Sequence, residues 1–368
     1  MSFLQLLFSQ INLRYSILMP ISFLRLLILT LILPTTLMAQ AITFPSGSFR
    51  DAEQKDFRDV NLSSKYFNEI WTYHADLSDG MQVIINFSIN DFGSSFKGRV
   101  TGTRLMVNMP DGKDYIVNKE YSPDTFVNEP DSNYIDLHPE RTFWAKGRFE
   151  NEHRVRYRTN KDGVLYDVDL TYYDIARGKV LGDGVYKFDS NEVGLYLLIP
   201  HAKVKGFVAV KGDTTFVEGT GYMDHIYQNN LSNEIIERSF RVKSGDMNDG
   251  FYFHFLKLKK SNLQTPIGYG VRFQKGQATM LTPALIEQIS NADKPSHLDT
   301  QIRVKPYQME ALDIRVSEHL NTFSLLNELG GVKRFLAKQV VGGELIEMNG
   351  RVTINGKKPG YFYYLAPK

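Results

Sequence analysis

From residue 42 to the end, apolar and polar residues alternate with period two, and turn signals fall about every ten residues. A strand sends successive side chains to opposite faces, so this pattern commits the chain to sheets with one buried face. It predicts an all-β sandwich or barrel and leaves little room for helices. The 20 Tyr and 24 Phe add bulky aromatic side chains that suit a pleated surface.

Individual strands are readable. "GMQVIINFSIND" (80–91) is one, and "GRVTGTRLMVNMPDGKDYIVNKEY" (98–121) is two joined at Pro110-Asp111-Gly112. "HRVRYRTNKDGVLYDVDLTYYD" (153–174) is a hairpin with arginines facing aspartates. A four-residue turn would pair Arg156 with Asp167. A two-residue Asp162-Gly163 turn would pair Arg158 with Asp167 and Arg156 with Asp169. "GLYLLIPHAKVKGFVAVKGDTTFVEGTGYMDHI" (194–226) reads as three strands, with turns near Pro200-His201 and at Lys211-Gly212-Asp213. Further strands follow at 235–243, 250–259, 267–274 and 350–366. Segments 279–291 and 321–339, the latter with Leu325, Leu326, Leu329 and Val332 at helical spacing, read as short helices or irregular cover.

The chain echoes itself faintly. "WTYHADLSDGMQVIINF" (71–87) resembles "RSFRVKSGDMNDGFYFHFLKL" (238–258), and 204–226 resembles 348–366. The reading is two similar β units, 42–230 and 231–368, divided at the polar "NNLSNE".

Residues 1–41 differ in kind. Arg25, an apolar run from Leu26 to Leu33, Pro34 and Ala39-Gln40-Ala41 read as a secretory signal peptide, with Met19 as an alternative start. The run is short for a bilayer core of ~30 Å, which disfavours an uncleaved anchor. An exported protein of the periplasm or cell envelope is expected. The absence of cysteine excludes disulfides, thiolate nucleophiles and Cys-based zinc sites. A net charge of +2 gives no case for nucleic acid.

The chemistry concentrates in "EGTGYMDHIYQNN" (218–230). Alternation puts Tyr222 and Asp224 on one face of a strand and His225 and Tyr227 on the other, so Asp224 and His225 do not form a side-by-side dyad unless a bulge intervenes. Two readings stand: a histidine acid or base in a pocket, or a buried polar network that ties down a strand end. Tyr252 and His254 share a face in "FYFHFLKL"; His254 lines a pocket or is a satisfied core histidine. His74 and Asp76 lack a third metal ligand, so no metal or other cofactor is expected. His138 and His153, set among charges, read as exposed. GxSxG, P-loop, GxGxxG and HExxH signatures are missing.

The phrase Ile199-Pro200-His201-Ala202-Lys203-Val204-Lys205-Gly206, followed by Gly219-Thr220-Gly221-Tyr222-Met223-Asp224-His225, resembles the lipocalin-like superfamily of carotenoid 1,2-hydratases, survival-factor lipid carriers and tocopherol cyclases. "EIWTYHADLSDG" (69–80), which contains Trp71, and the closing "GYFYYLAPK" are similar to that family's opening and ending. The resemblance implies two consecutive lipocalin-like (calycin-type) β-barrel units and a pocket at their junction for a long apolar molecule. It implies Trp71, Tyr222, Asp224, His225, Tyr227, Tyr252 and His254 as ligand-binding residues. Transient contact with a membrane fits such a ligand.

The chain departs from the family where the reaction would occur. Ile226-Tyr227-Gln228 replaces Asn-Trp-Gly, and Tyr252-Phe253-His254 replaces Tyr-x-Asp. Alkene hydration needs a strong proton donor, which a raised carboxylic acid supplies and a histidine does not. The expectation is therefore a binder or carrier of a lipid or isoprenoid. The alternative is a hydratase, cyclase or isomerase, with Asp224, His225 and His254 as catalytic candidates and one of the histidines as acid or base.

Overall fold

The alternation becomes two antiparallel sheets in the computed structural model, which describes residues 42–91, 98–137, 142–259, 266–289, 301–324, 326, 334, 338 and 343–367. Residues 1–41, read above as a signal peptide, and His138, Leu325, Leu329 and Val332 lie outside the described residues. Residues Gln40–Lys368 pack as one unit.

The first sheet contains β1 (Phe49–Asp51), β2 (Asn68–Leu77), β3 (Gln82–Asn90), β4 (Val100–Asn108), β5 (Asp114–Tyr121), β6 (Val127–Glu129) and β7 (Tyr134–Asp136). It continues with β8 (Phe143–Arg148), β9 (Glu152–Lys161), β10 (Val164–Tyr173), β11 (Lys179–Leu181), β12 (Val185–Phe188), β13 (Asn191–Val210) and β14 (Asp213–Gln228). A single helical turn, α1 (Ser232–Ile235), leads to the second sheet. That sheet holds β15 (Ile236–Ser244), β16 (Asp249–Leu258), β17 (Ile267–Gln274), β18 (Gln277–Leu281) and β19 (Pro283–Ile289). It ends with β20 (Gln301–Pro306), β21 (Leu312–Ser324), β22 (Leu345–Ile354) and β23 (Lys358–Pro367).

Both sheets follow one plan. The meander β2–β5 pairs its first strand with β14, the last strand of the first sheet; β15–β18 pairs its first strand with β23 in the same way. The echoed segments occupy equivalent places, β2–β3 with β15–β16 and β13–β14 with β22–β23. The first sheet curls into a half-barrel and the second into a nearly closed barrel, an all-β architecture of two lipocalin-like units.

Trp71, Tyr73, Phe87, Tyr157 and Tyr172 fill the first unit, and Phe240, Phe253, Phe255 and Tyr364 fill the second. A third cluster draws on both sheets, with Leu195, Leu197 and Tyr222 meeting Tyr252, Ile267 and Tyr269. Aromatic residues supply much of all three, which suits side chains that bury large apolar areas.

Some sequence expectations need correction. In place of the turn expected near Pro200-His201, β13 runs on as one strand, and its register to β14 slips between Leu197 and Ala202. Pro200 has no N–H to give to a ladder, so an irregularity of this kind accommodates it. Of the 279–291 segment, the described residues 279–289 are extended, with Pro283–Ile289 laddered to β20; tertiary pairing overrides their helical look. His153 is fully buried, and its Nε2 lies 2.7 Å from the Tyr73 hydroxyl. It alternates with Arg154 and shares the inward face of Val155 and Tyr157, a position the surrounding charges conceal. Burial lowers its pKa to about 3.

The 153–174 hairpin adopts the Asp162-Gly163 turn, both residues having positive φ. Arg158 thus pairs with Asp167 and Arg156 with Asp169.

Candidate functional site

β14 lies within the first sheet between β13 and β2, and presents a different set of functional side chains on each face. Its two glycines let it lie close to β2. A Cβ at Gly219 would sit 2.0 Å from the Asp76 carbonyl oxygen, and one at Gly221 would sit 2.5 Å from that of His74. No side chain larger than hydrogen fits there.

On the face toward the second sheet, the Tyr252 hydroxyl donates to Asp224 Oδ2 at 2.6 Å, and Arg241 Nε donates to the same oxygen at 2.7 Å. Asp224 Oδ1 is buried with no partner. Tyr222 stacks on His74 at 4.6 Å and packs against Tyr252 at 4.7 Å. Burial works against the charge of Arg241, but Asp224 and the surrounding phenols outweigh it and raise its pKa. Burial, reinforced by Asp224, raises the Tyr252 phenol well above its ordinary range.

His254 lies nearby. Its Nε2 is 2.8 Å from Ser239 Oγ, and its Nδ1 is buried without a partner. Burial, followed by the charge of Arg241, lowers its pKa well below the usual value, so the ring is neutral. Asp224, Tyr252 and His254 line a cavity of ≈ 10 Å³ together with Leu195, Leu197 and Ile226. That volume holds about one water.

The opposite face carries His225, enclosed in the first unit. It stacks on Trp71 at 4.5 Å with rings 5° apart, and its other neighbour is Tyr196 at 5.3 Å. Nδ1 lies 2.8 Å from the Asp56 carbonyl oxygen, so it bears hydrogen; Nε2 lies 2.8 Å from Glu69 Oε1. A second proton therefore sits between His225 and Glu69, on one or the other. Glu69 Oε1 also accepts from the Val60 N–H at 2.9 Å, whereas Oε2 is buried without a partner. Tyr227 donates to Glu192 at 2.6 Å. Trp71 donates its indole N–H to the Phe57 carbonyl at 3.0 Å.

The structure thus divides the sequence-derived set. Asp224, Tyr222, Tyr252 and His254 meet where the sheets join; His225, Trp71 and Tyr227 lie in the first unit. Three partners were not singled out from sequence: Arg241, Glu69 and Tyr196. Glu69 carried a usable signal, since alternation puts this acid on the inward face of Trp71 and Tyr73. Arg241 and Tyr196 looked like ordinary strand residues.

Two further features adjoin the site. Lys243 is buried and donates to Thr220 Oγ1 at 2.8 Å; burial lowers its pKa to about 8 against the pull of Asp76. An open cleft of ≈ 580 Å³, lined in part by Arg50, Asp56, Arg58 and Gly182, also has Tyr196 in its wall. The Tyr196 ring faces the first unit and the cleft, whereas Leu195 and Leu197, its neighbours on β13, face the inner cavity. Among the described residues, no three His, Asp or Glu side chains converge as a metal site.

Two lipocalin-like β units with a polar cluster where they join define the class: a tandem lipocalin-like protein. No family model matches the sequence, and no curated protein matches it. Solved structures match the fold. A Nitrosomonas europaea protein provisionally named AttH superposes with a TM-score of 0.57 at 13% identity, covering 88% of this chain and 98% of that one. CghA in complex with Sch210972 gives 0.58 at 11% identity, with 86% and 97% covered. Kievitone hydratase from Nectria haematococca gives 0.51 at 13%, with 89% and 96% covered. At these identities the likeness is one of fold.

Proposed function

We propose that this chain is an exported envelope protein that binds a hydrophobic small molecule, a lipid or isoprenoid, where its two β units join. The observation that carries the reading is a pair of buried polar atoms without partners, Asp224 Oδ1 and His254 Nδ1, on residues lining a cavity whose other walls include Leu195, Leu197 and Ile226. A buried polar atom left unpaired costs ~1–3 kcal/mol, and a ligand's polar end would recover that cost. The cavity takes only an oxygen-sized group, so the ligand's body displaces the apolar side chains around it. CghA, a fold neighbour, has been solved with Sch210972, which is consistent with use of the architecture for binding. Export rests on the basic, apolar and A-x-A pattern of residues 19–41.

Native mass spectrometry of protein purified from envelope fractions, followed by organic extraction, tests the reading. A co-purifying apolar molecule lost on Leu197→Trp supports it; a reproducibly empty protein overturns it.

The second reading is an enzyme of hydratase or isomerase type. The neutral, buried His254 beside a Tyr252–Asp224–Arg241 chain favours it, because such a group can move a proton in a dry site. Kievitone hydratase, by its name, shows that the fold has hosted such chemistry. Incubation with the extracted ligand separates the two: a change in its mass or isomer that His254→Gln abolishes supports the enzyme.

A further inference from the structure

We propose that the polar end of the ligand is an uncharged hydroxyl, held between Asp224 Oδ1 and His254 Nδ1. The inference rests on the binding site proposed above and specifies its chemistry.

The first argument is the set of atoms on offer. Asp224 Oδ1 is an acceptor without a donor. His254 Nδ1 is also unpaired, and Ser239 Oγ, 2.8 Å from Nε2, can donate to that nitrogen and leave the hydrogen on Nδ1. A hydroxyl has one hydrogen to give and lone pairs to receive, so it answers both groups at once. A carboxylate or phosphate only accepts and has nothing to offer Asp224.

The second argument is charge. Asp224 and Arg241 form a buried pair at 2.7 Å, with side chains 4% and 11% exposed. The pair is balanced by itself. An anionic headgroup would add a second negative charge beside Asp224 with no free cation lining the cavity. An ammonium would place a second positive charge near Arg241. Either carries a desolvation cost that a neutral group avoids.

The third argument is size. A cavity of ≈ 10 Å³ accepts one oxygen atom. A carboxylate has two in a plane and a phosphate more. Leu195, Leu197 and Ile226, which share the lining, offer an apolar surface to the carbon bearing the hydroxyl.

Isothermal titration calorimetry with three probes of equal chain length, 1-decanol, decanoate and decylamine, tests this at neutral pH below their aggregation limits. Decanol should bind about tenfold or more tightly than either ion, the scale of a hydrogen bond to a charged group. Asp224→Asn should reduce the decanol-to-decanoate ratio by about tenfold. If Asp224→Asn fails to fold, His254→Phe, which leaves the ion pair intact, should reduce the decanol-to-decylamine ratio, since decanol accepts from the Nδ1–H and an ammonium does not. Decanoate or decylamine binding as well as decanol would overturn the hydroxyl assignment and leave the binding site standing. No binding of any probe would overturn the site itself. An unchanged ratio in a folded variant would overturn the roles of Asp224 and His254.

Discussion

Tyr252 reaches from the second sheet to the first and donates to Asp224 at 2.6 Å, which leaves that carboxylate held by two donors on one oxygen and none on the other. The asymmetry yields a direct expectation for Tyr252→Phe. The ring still packs against Tyr222, so little apolar contact is lost. Asp224 keeps Arg241 but loses a buried donor, which should cost ~1–3 kcal/mol. Urea unfolding should show a lower midpoint with an unchanged slope. An unchanged midpoint would mean that the hydroxyl contributes nothing to joining the sheets.

Lys243 is expected to weaken the fold at neutral pH. Its folded pKa is about 8, against 10.5 unperturbed, chiefly through burial. Between those values the unfolded chain binds the extra proton, so stability rises with pH across the window; below about pH 8 the full penalty of ~3 kcal/mol applies. Lys243→Met removes it, less ~1 kcal/mol for the hydrogen bond to Thr220. The variant should exceed the wild type in stability at pH 7, and the advantage should vanish near pH 10. Comparing the two proteins at each pH cancels the tyrosine titrations they share. A constant difference across that range would refute the assignment.

Glu69→Gln should be costly for a geometric reason. One oxygen, Oε1, serves both the Val60 N–H and His225 Nε2. An amide oxygen there would require a proton on Nε2 while Nδ1 also bears hydrogen, leaving a buried imidazolium with no counter-charge. An amide nitrogen there would face the Val60 N–H donor. Both arrangements should cost about 3 kcal/mol. Thermal unfolding is the check, and a shift no greater than that of a surface Glu→Gln change would show that the pair is not under this constraint.

The fold was readable because alternation is a property of the strand itself, and each β14 side chain falls on the face that counting assigns. The division of Asp224 from His225 followed from that alone. What counting does not supply is which strand lies opposite. Arg241 and Tyr252 reach Asp224 from the second sheet, and no local spacing announces that pairing. His153 misled because flanking arginines describe the outer face of β9, whereas its own neighbours in space are Tyr73 and Phe57. The size of the junction cavity was likewise beyond the sequence, since it depends on how closely Leu195, Leu197 and Ile226 pack.

Tyr196 tests whether the two faces of β14 act separately. Its ring stands in the wall of the open cleft and packs on His225 and Tyr227 at 5.3 and 6.3 Å. Alternation along β13 turns it away from Leu195 and Leu197, which line the cavity beside Asp224. Tyr196→Ala should leave a void beside His225, at a cost of ~3–5 kcal/mol by analogy with other large aromatic truncations. Tyr196→Phe separates the hydroxyl from the ring and should cost far less. Below its lowered unfolding midpoint, Tyr196→Ala should bind 1-decanol as tightly as the wild type, because the sheet itself separates the void from Asp224. Calorimetric titration is the check, and a loss of about tenfold in affinity in folded Tyr196→Ala would show that the first-unit face shapes the binding cavity.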